Sequence, residues 1–188
     1  FGQSIMMLDV FSEHKVVIGD LLSLHINNQL PHAVLITSVS GVGLASVASS
    51  LCATLLCERD NDSPCGECSS CSRVSGGTHG DYRWVEVPEG KVSIGVDQIR
   101  EAGDFVTKTA GYGSQKILVI SDAEKMTTGA SNALLKTLEE PQGNSLIVLL
   151  SQRTWQLPAT IRSRCQTWRL PALTAASSIE HLRAAGVA

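Results

Sequence analysis

The sequence predicts an α/β fold: a parallel sheet with helices on both faces. Three observations carry that reading. Apolar runs of strand length alternate along the chain with amphipathic stretches of helical length. Two of the runs, Ile117 to Ile120 and Leu146 to Leu150, are apolar without a break, as expected of parallel strands buried on both faces. Residues Pro31 to Cys57 read as strand, glycine-rich turn and helix, the frame of a phosphate-binding loop. With 188 residues, 43% of them hydrophobic, the chain can bury a full domain core and carry a fragment besides. Aromatics are only 4%, so that core is mainly aliphatic.

The elements follow in order. Residues 9 to 30 form a helix with Ile18, Leu21, Leu22 and Leu30 at apolar positions, closed by Pro31. A strand spans Ala33 to Ile36, and Ser38 to Gly43 is the turn. Leu44, Val47, Ala48, Leu51 and Leu55 recur at helical spacing and give the next helix one apolar face. Glu58 to Gly80 is polar, without hydrophobic period, and cannot build a core of its own. A strand at Tyr82 to Val87 precedes a turn at Pro88-Glu89-Gly90 and a helix from Val96 to Lys108, with Ile99, Ala102, Phe105 and Val106 on one side. The loop Ala110 to Gln115 leads to the Ile117 run. Thr127 or Thr128 caps a helix bearing Ala130, Leu134 and Leu138, which Pro141 stops. After the Leu146 run come a short helix near Pro158 and a last strand at Thr167 to Leu170. Such alternation implies right-handed crossovers. The expected domain is residues 1–171. From Pro171 the composition changes, and residues 172–188 read as the first helix of a truncated second domain or as an arm, with Ser177 or Ser178 and Glu180 at its start.

A net charge of -3 and a pI near 5.9 argue against a surface that grips nucleic acid throughout, while leaving room for a local basic patch. No apolar run approaches the roughly 18 residues of a membrane helix, and the first residues lack the basic start and long apolar stretch of a secretory signal. The expected compartment is a reducing cytoplasm.

Four of the six cysteines, Cys57, Cys65, Cys68 and Cys71, lie within fifteen residues as C-x7-C-x2-C-x2-C. Without a signal peptide this spacing suits a metal better than disulfides. Four thiolates close a tetrahedral shell, which makes the expected site a structural zinc. An iron–sulfur cluster is the rival, and a set of free thiols the plainer alternative. Cys52 reads as a small core residue. His79 is near enough to stand in as a ligand, but is better read as a loop histidine making ordinary hydrogen bonds.

The phosphate-loop frame lacks the loop's chemistry. On the pattern G-x-x-x-x-G-K-[ST], Ser38 stands at the first glycine and Gly43 at the second, with Gly41 between. Leu44 replaces the lysine that reaches the β- and γ-phosphates, and Ala45 the hydroxyl that holds Mg²⁺. Ser46 is displaced along the helix and has no lysine beside it. After the strand Lys116 to Ile120, Ser121 stands where an acidic motif places its metal-binding Asp, and Asp122 where it places Glu. Lys, hydroxyl and carboxylate are lost separately, which argues against phosphoryl transfer in this chain.

P-H-A-V-L-I, the cysteine set, K-I-L-V-I-S-D-A-E-K-M, N-A-L-L-K-T-L-E-E-P and I-R-S-R-C together resemble the bacterial clamp-loader ATPase family over about residues 30 to 171. The defective phosphate loop resembles the δ′ type, which belongs to the DNA polymerase III holoenzyme and does not hydrolyse ATP, rather than the γ/τ motor. The resemblance implies an AAA+ (RecA-like P-loop) domain followed by a helical lid domain and a collar. It implies zinc at Cys57, Cys65, Cys68 and Cys71, no ATP bound by this chain, and partners in γ/τ and δ subunits, with the sliding clamp and primed DNA reached through the complex. It makes Arg164, between Ser163 and Cys165, an arginine finger presented to ATP on a neighbour, with Arg162 nearby, and puts Ser151 where active relatives sense the γ-phosphate. On the residues alone, Arg164 is better read as half of a surface salt bridge. The alternatives are a γ/τ-like ATPase with an unorthodox site and, more remotely, a zinc-bearing adaptor unrelated to replication.

Overall fold

The computed structural model describes residues 10–39, 42–59, 64–112, 115–141, 143–174 and 177. Its frame is a five-stranded sheet of β1 (Ala33–Thr37), β2 (Tyr82–Val85), β3 (Lys116–Ile120), β4 (Ser145–Ser151) and β5 (Gln166–Arg169). The order is β2-β3-β4-β1-β5, and every pairing is parallel. Residues of β1, β3 and β4 are buried without exception, so alternate side chains enter two separate cores, as the unbroken apolar runs require.

On one face, Val34, Ile36, Ile117, Val119, Leu146, Val148 and Leu150 pack with Val17, Ile18 and Leu21 of α1 (Ser12–Ile26) and Val47, Ala48 and Leu51 of α2 (Leu44–Leu55). On the other, Leu35, Leu118, Ile120, Ile147 and Leu149 meet α4 (Val96–Val106) and α5 (Thr128–Glu139), with Ile161 of the short α6 (Ala159–Arg162). Between α2 and β2 lies α3 (Ser69–Ser75). Thr127 caps α5, its hydroxyl accepting the Ala130 N–H at 3.2 Å.

Three expectations need correction. The first helix ends at Ile26 and not near residue 30, because Asn28 takes a left-handed conformation (φ +55°); asparagine is among the few residues that tolerate it. The polar insert is not wholly without core: α3 forms inside it, and Val74 and Cys71, each 2% exposed, are buried, Val74 within the α1/α2 core. The last strand begins one residue earlier than expected, at Gln166, and lies at the sheet edge with most of its residues exposed. Among the described residues no helix is long and apolar enough to cross a membrane. Of the expected second-domain segment, only 172–174 and 177 fall within the described residues.

Candidate functional site

Arg164 is positioned by what flanks it. α6 carries Ile161 fully buried, and Cys165 is buried in the same core, where desolvation pushes its thiol up to about 11. Ser163, exposed, donates its hydroxyl to the Thr160 carbonyl at 3.1 Å. The buried residues on either side fix the backbone, and the Arg164 side chain emerges between them about one-third exposed. Its Nη1 donates to the Thr160 carbonyl at 2.8 Å, and its Nη2 lies 2.6 Å from Oε1 of Glu139, in the last turn of α5. The salt bridge that the residues alone suggested is therefore present. Arg162 is exposed.

The strand and helix of the phosphate-loop frame, β1 and α2, are formed, and the loop's working groups are missing. Leu44 is 6% exposed and belongs to the α1/α2 core, so a hydrophobic contact stands where a phosphate-binding lysine would start. Ala45 is exposed, Ser46 and Ser38 are buried, and Gly41 lies outside the described residues. Gly43, the residue before α2, has φ +82°. A Cβ there would lie 2.4 Å from Nδ1 of His14, a residue of α1 that is 1% exposed and whose Nε2 is 3.1 Å from the Pro171 carbonyl. His14 thus fills space against the glycine turn, a placement that nothing in its sequence neighbourhood signals. The second motif is equally blunt. Ser121 offers no carboxylate, and Asp122, left-handed at φ +49°, pairs with Lys125 at 3.0 Å. Ser151 is 1% exposed, and its hydroxyl accepts the Arg153 N–H at 3.2 Å.

The cysteine cluster comes together as the spacing predicts. The sulfurs of Cys57, Cys65, Cys68 and Cys71 lie within 4.8 Å of one another, with Cys57–Cys68 and Cys65–Cys71 at 3.9 Å. Tetrahedral zinc with Zn–S near 2.3 Å asks for sulfur separations of about 3.8 Å. The donor set therefore fits a structural zinc in both number and distance. Local geometry prepares it: Gly66 takes φ +74° in the bend, and Cys68 starts α3, its sulfur accepting the Cys71 N–H at 3.4 Å. Backbone N–H groups of Glu67 and Cys68 hold the Cys65 thiol down at about 6, whereas burial pushes Cys71 up to about 12. Cys52 is fully buried in the α1/α2 core, and burial raises its thiol well above the ordinary range.

His79 is not in the cluster. It is 3% exposed, its Nδ1 accepting the Asp81 N–H at 3.1 Å. That leaves Nε2 protonated, 3.2 Å from the Ser70 hydroxyl. Burial holds its pKa below the ordinary value, in keeping with a neutral ring. Asp81, fully buried, accepts from the N–H groups of Gly111 and Tyr112 and pairs with Lys116 at 2.9 Å. This chain of contacts ties the cysteine module to the first residues of β2 and β3, and local periodicity gave no sign of it.

The family model described as DNA polymerase III, delta subunit matches residues 13–174. A Haemophilus influenzae protein, DNA polymerase III subunit delta′, is 42% identical over 139 residues, which are 74% of this chain and 42% of that protein. Its Pseudomonas aeruginosa namesake is 41% identical over 155 residues, 82% of this chain and 47% of that one. The Bacillus subtilis subunit tau is 31% identical over 150 residues, 79% of this chain and 26% of that one. This chain thus spans less than half the length of these curated relatives. In fold it is similar to a gamma subunit-related protein of Thermotoga maritima (TM-score 0.58, 23% identity, 83% of this chain and 46% of that one). It is also similar to the Thermotoga maritima RuvB Holliday junction branch migration motor (TM-score 0.58, 14% identity, 95% and 51%). The fold is accordingly that of AAA+ P-loop proteins, and the chain belongs to the DNA polymerase III delta-subunit family, among its delta′-type members.

Proposed function

We propose that this chain is a subunit of a clamp-loading assembly that hydrolyses no ATP itself and supplies Arg164 to ATP held by a neighbouring γ/τ-type subunit. One contrast carries the reading: the helix that follows the phosphate-loop turn has a buried leucine at the lysine position, while an arginine is held at the surface between two buried anchors. A guanidinium beside a transferring γ-phosphoryl spreads positive charge where negative charge develops, and such fingers raise rates by about 10³–10⁵, or roughly 4–7 kcal/mol. The kinship with both delta′ and tau subunits supports membership of one complex. In that complex, with δ, the sliding clamp would be set on primed DNA in the cytoplasm. Residues after Pro171 would enter the lid domain, and the four-cysteine module would hold zinc as a structural brace.

The experiment is ATP hydrolysis by the loader reconstituted from the full-length protein with motor subunits. Arg164→Ala should lower its DNA- and clamp-stimulated rate by at least tenfold while the complex still assembles, and this chain alone should retain no labelled ATP. An unchanged rate removes the finger. Micromolar ATP binding with turnover by the isolated chain makes it a γ/τ-like ATPase instead.

A further inference from the structure

We infer that Glu139 is a positioning residue for Arg164: it holds the guanidinium in its outward pose before the neighbour's nucleotide arrives. The inference rests on the arginine-finger reading above. The C-terminal turn of α5, which carries Glu139, is itself tied down. The imidazole Nε2 of His32, just before β1, donates to the Leu138 carbonyl at 3.1 Å, and Leu138 is 2% exposed in the core. From that anchored turn the Glu139 carboxylate reaches Nη2 of Arg164 at 2.6 Å, and from α6 the Thr160 carbonyl takes Nη1 at 2.8 Å. Two acceptors from two different helices therefore grip the two terminal nitrogens of one planar group and define its plane.

A guanidinium carries five N–H donors. The two contacts engage one on each terminal nitrogen, so the rest stay available to an incoming anion without release of the anchors. An arginine on its long rotatable stem loses conformational freedom when it meets a phosphate; one already held at two points loses less. Glu139 is about half exposed and makes no other ion pair among the described residues, so the contact to Arg164 is its evident task. Its neighbour Glu140, also exposed, makes no ion pair among them.

The test measures steady-state ATPase of the reconstituted loader carrying Glu139→Ala, Glu139→Gln, Arg164→Ala and the double variant, with Glu140→Gln as control. Thermal melts of each purified subunit accompany the kinetics. The expected result is a drop in kcat of about two- to fivefold for Glu139→Ala, the upper range of an exposed pair, with KM for ATP within about twofold. A finger acts in the transition state and not in substrate binding, which is why KM should hold. Glu139→Gln keeps an acceptor oxygen and should recover at least half of the lost rate. In the Arg164→Ala background, Glu139→Ala should have no further effect. If Arg164→Ala slows the loader and Glu139→Ala does not, the positioning role falls and the finger stands. If Glu139→Ala slows Arg164→Ala by the same factor as wild type, Glu139 acts through something other than Arg164 and the inference falls. If Arg164→Ala has no effect, the finger itself falls, and the inference with it.

Discussion

Replacing Asp81 with alanine should be among the most damaging single changes in this chain. The carboxylate is fully buried, with the Lys116 ammonium 2.9 Å away and also nearly enclosed. It accepts the N–H groups of Gly111 at 2.8 Å and Tyr112 at 2.6 Å. After Asp81→Ala, Lys116 keeps the Gly80 carbonyl at 3.0 Å and the face of Phe105 at 4.7 Å, neither of which balances its charge. Removing one member of a buried pair costs about 3–5 kcal/mol, mostly the penalty of the charge left behind. For a chain of this size each kcal/mol moves Tm by about 2–4 °C, so the expected fall is roughly 6–20 °C in a melt followed by circular dichroism. Asp81→Ala combined with Lys116→Met should recover at least about 1 kcal/mol relative to Asp81→Ala alone, because no unpaired charge stays inside. A loss below about 1 kcal/mol for the single variant, or a double variant no better than the single, would refute the charge-burial reasoning.

Two further expectations follow from the same geometry. Purified protein should contain about one zinc per chain, and a strong chelator should expose the segment from Glu58 to Gly80 to proteolysis while far-UV signal from the sheet persists; metal analysis well below one equivalent speaks against the zinc site. Gly43→Ala should destabilise by about 1–3 kcal/mol, since φ is +82° and the new Cβ would sit 2.4 Å from the His14 ring. His14→Ala should relieve the steric part of that cost, and a Gly43→Ala protein as stable in urea as wild type would remove the contact from the account.

The sheet was legible because its signals are local. Unbroken runs such as Ile117–Ile120 can be buried on both faces only between two helical layers, and Thr127 announces its helix through a hydroxyl three residues from the N–H it caps. The cysteine cluster was legible for a similar reason: its spacing is short enough that turns alone bring the sulfurs together. α3 was missed because seven residues are too few to show a period, and its first turn is organised by Cys68 and not by an apolar face. The end of α1 was misjudged because Leu30 and Pro31 look like a better boundary than Asn28, whose left-handed backbone ends the helix earlier.

By itself, then, the sequence determined the succession of the five strands and the helices that flank them, α3 excepted, the clustering of four cysteines, and the loss of lysine, hydroxyl and carboxylate from a phosphate-binding frame. All of these depend on residue type and on spacings of a few residues. The tertiary structure alone decided which distant groups meet: His14 against Gly43, His79 between Ser70 and Asp81, Lys116 with Asp81, and Glu139 with Arg164. Those pairings join separate elements, and the register of the sheet and the packing of its two helical layers bring them together. A charge or an imidazole carries no periodic pattern that points to its partner, so these contacts become visible only once the chain is folded.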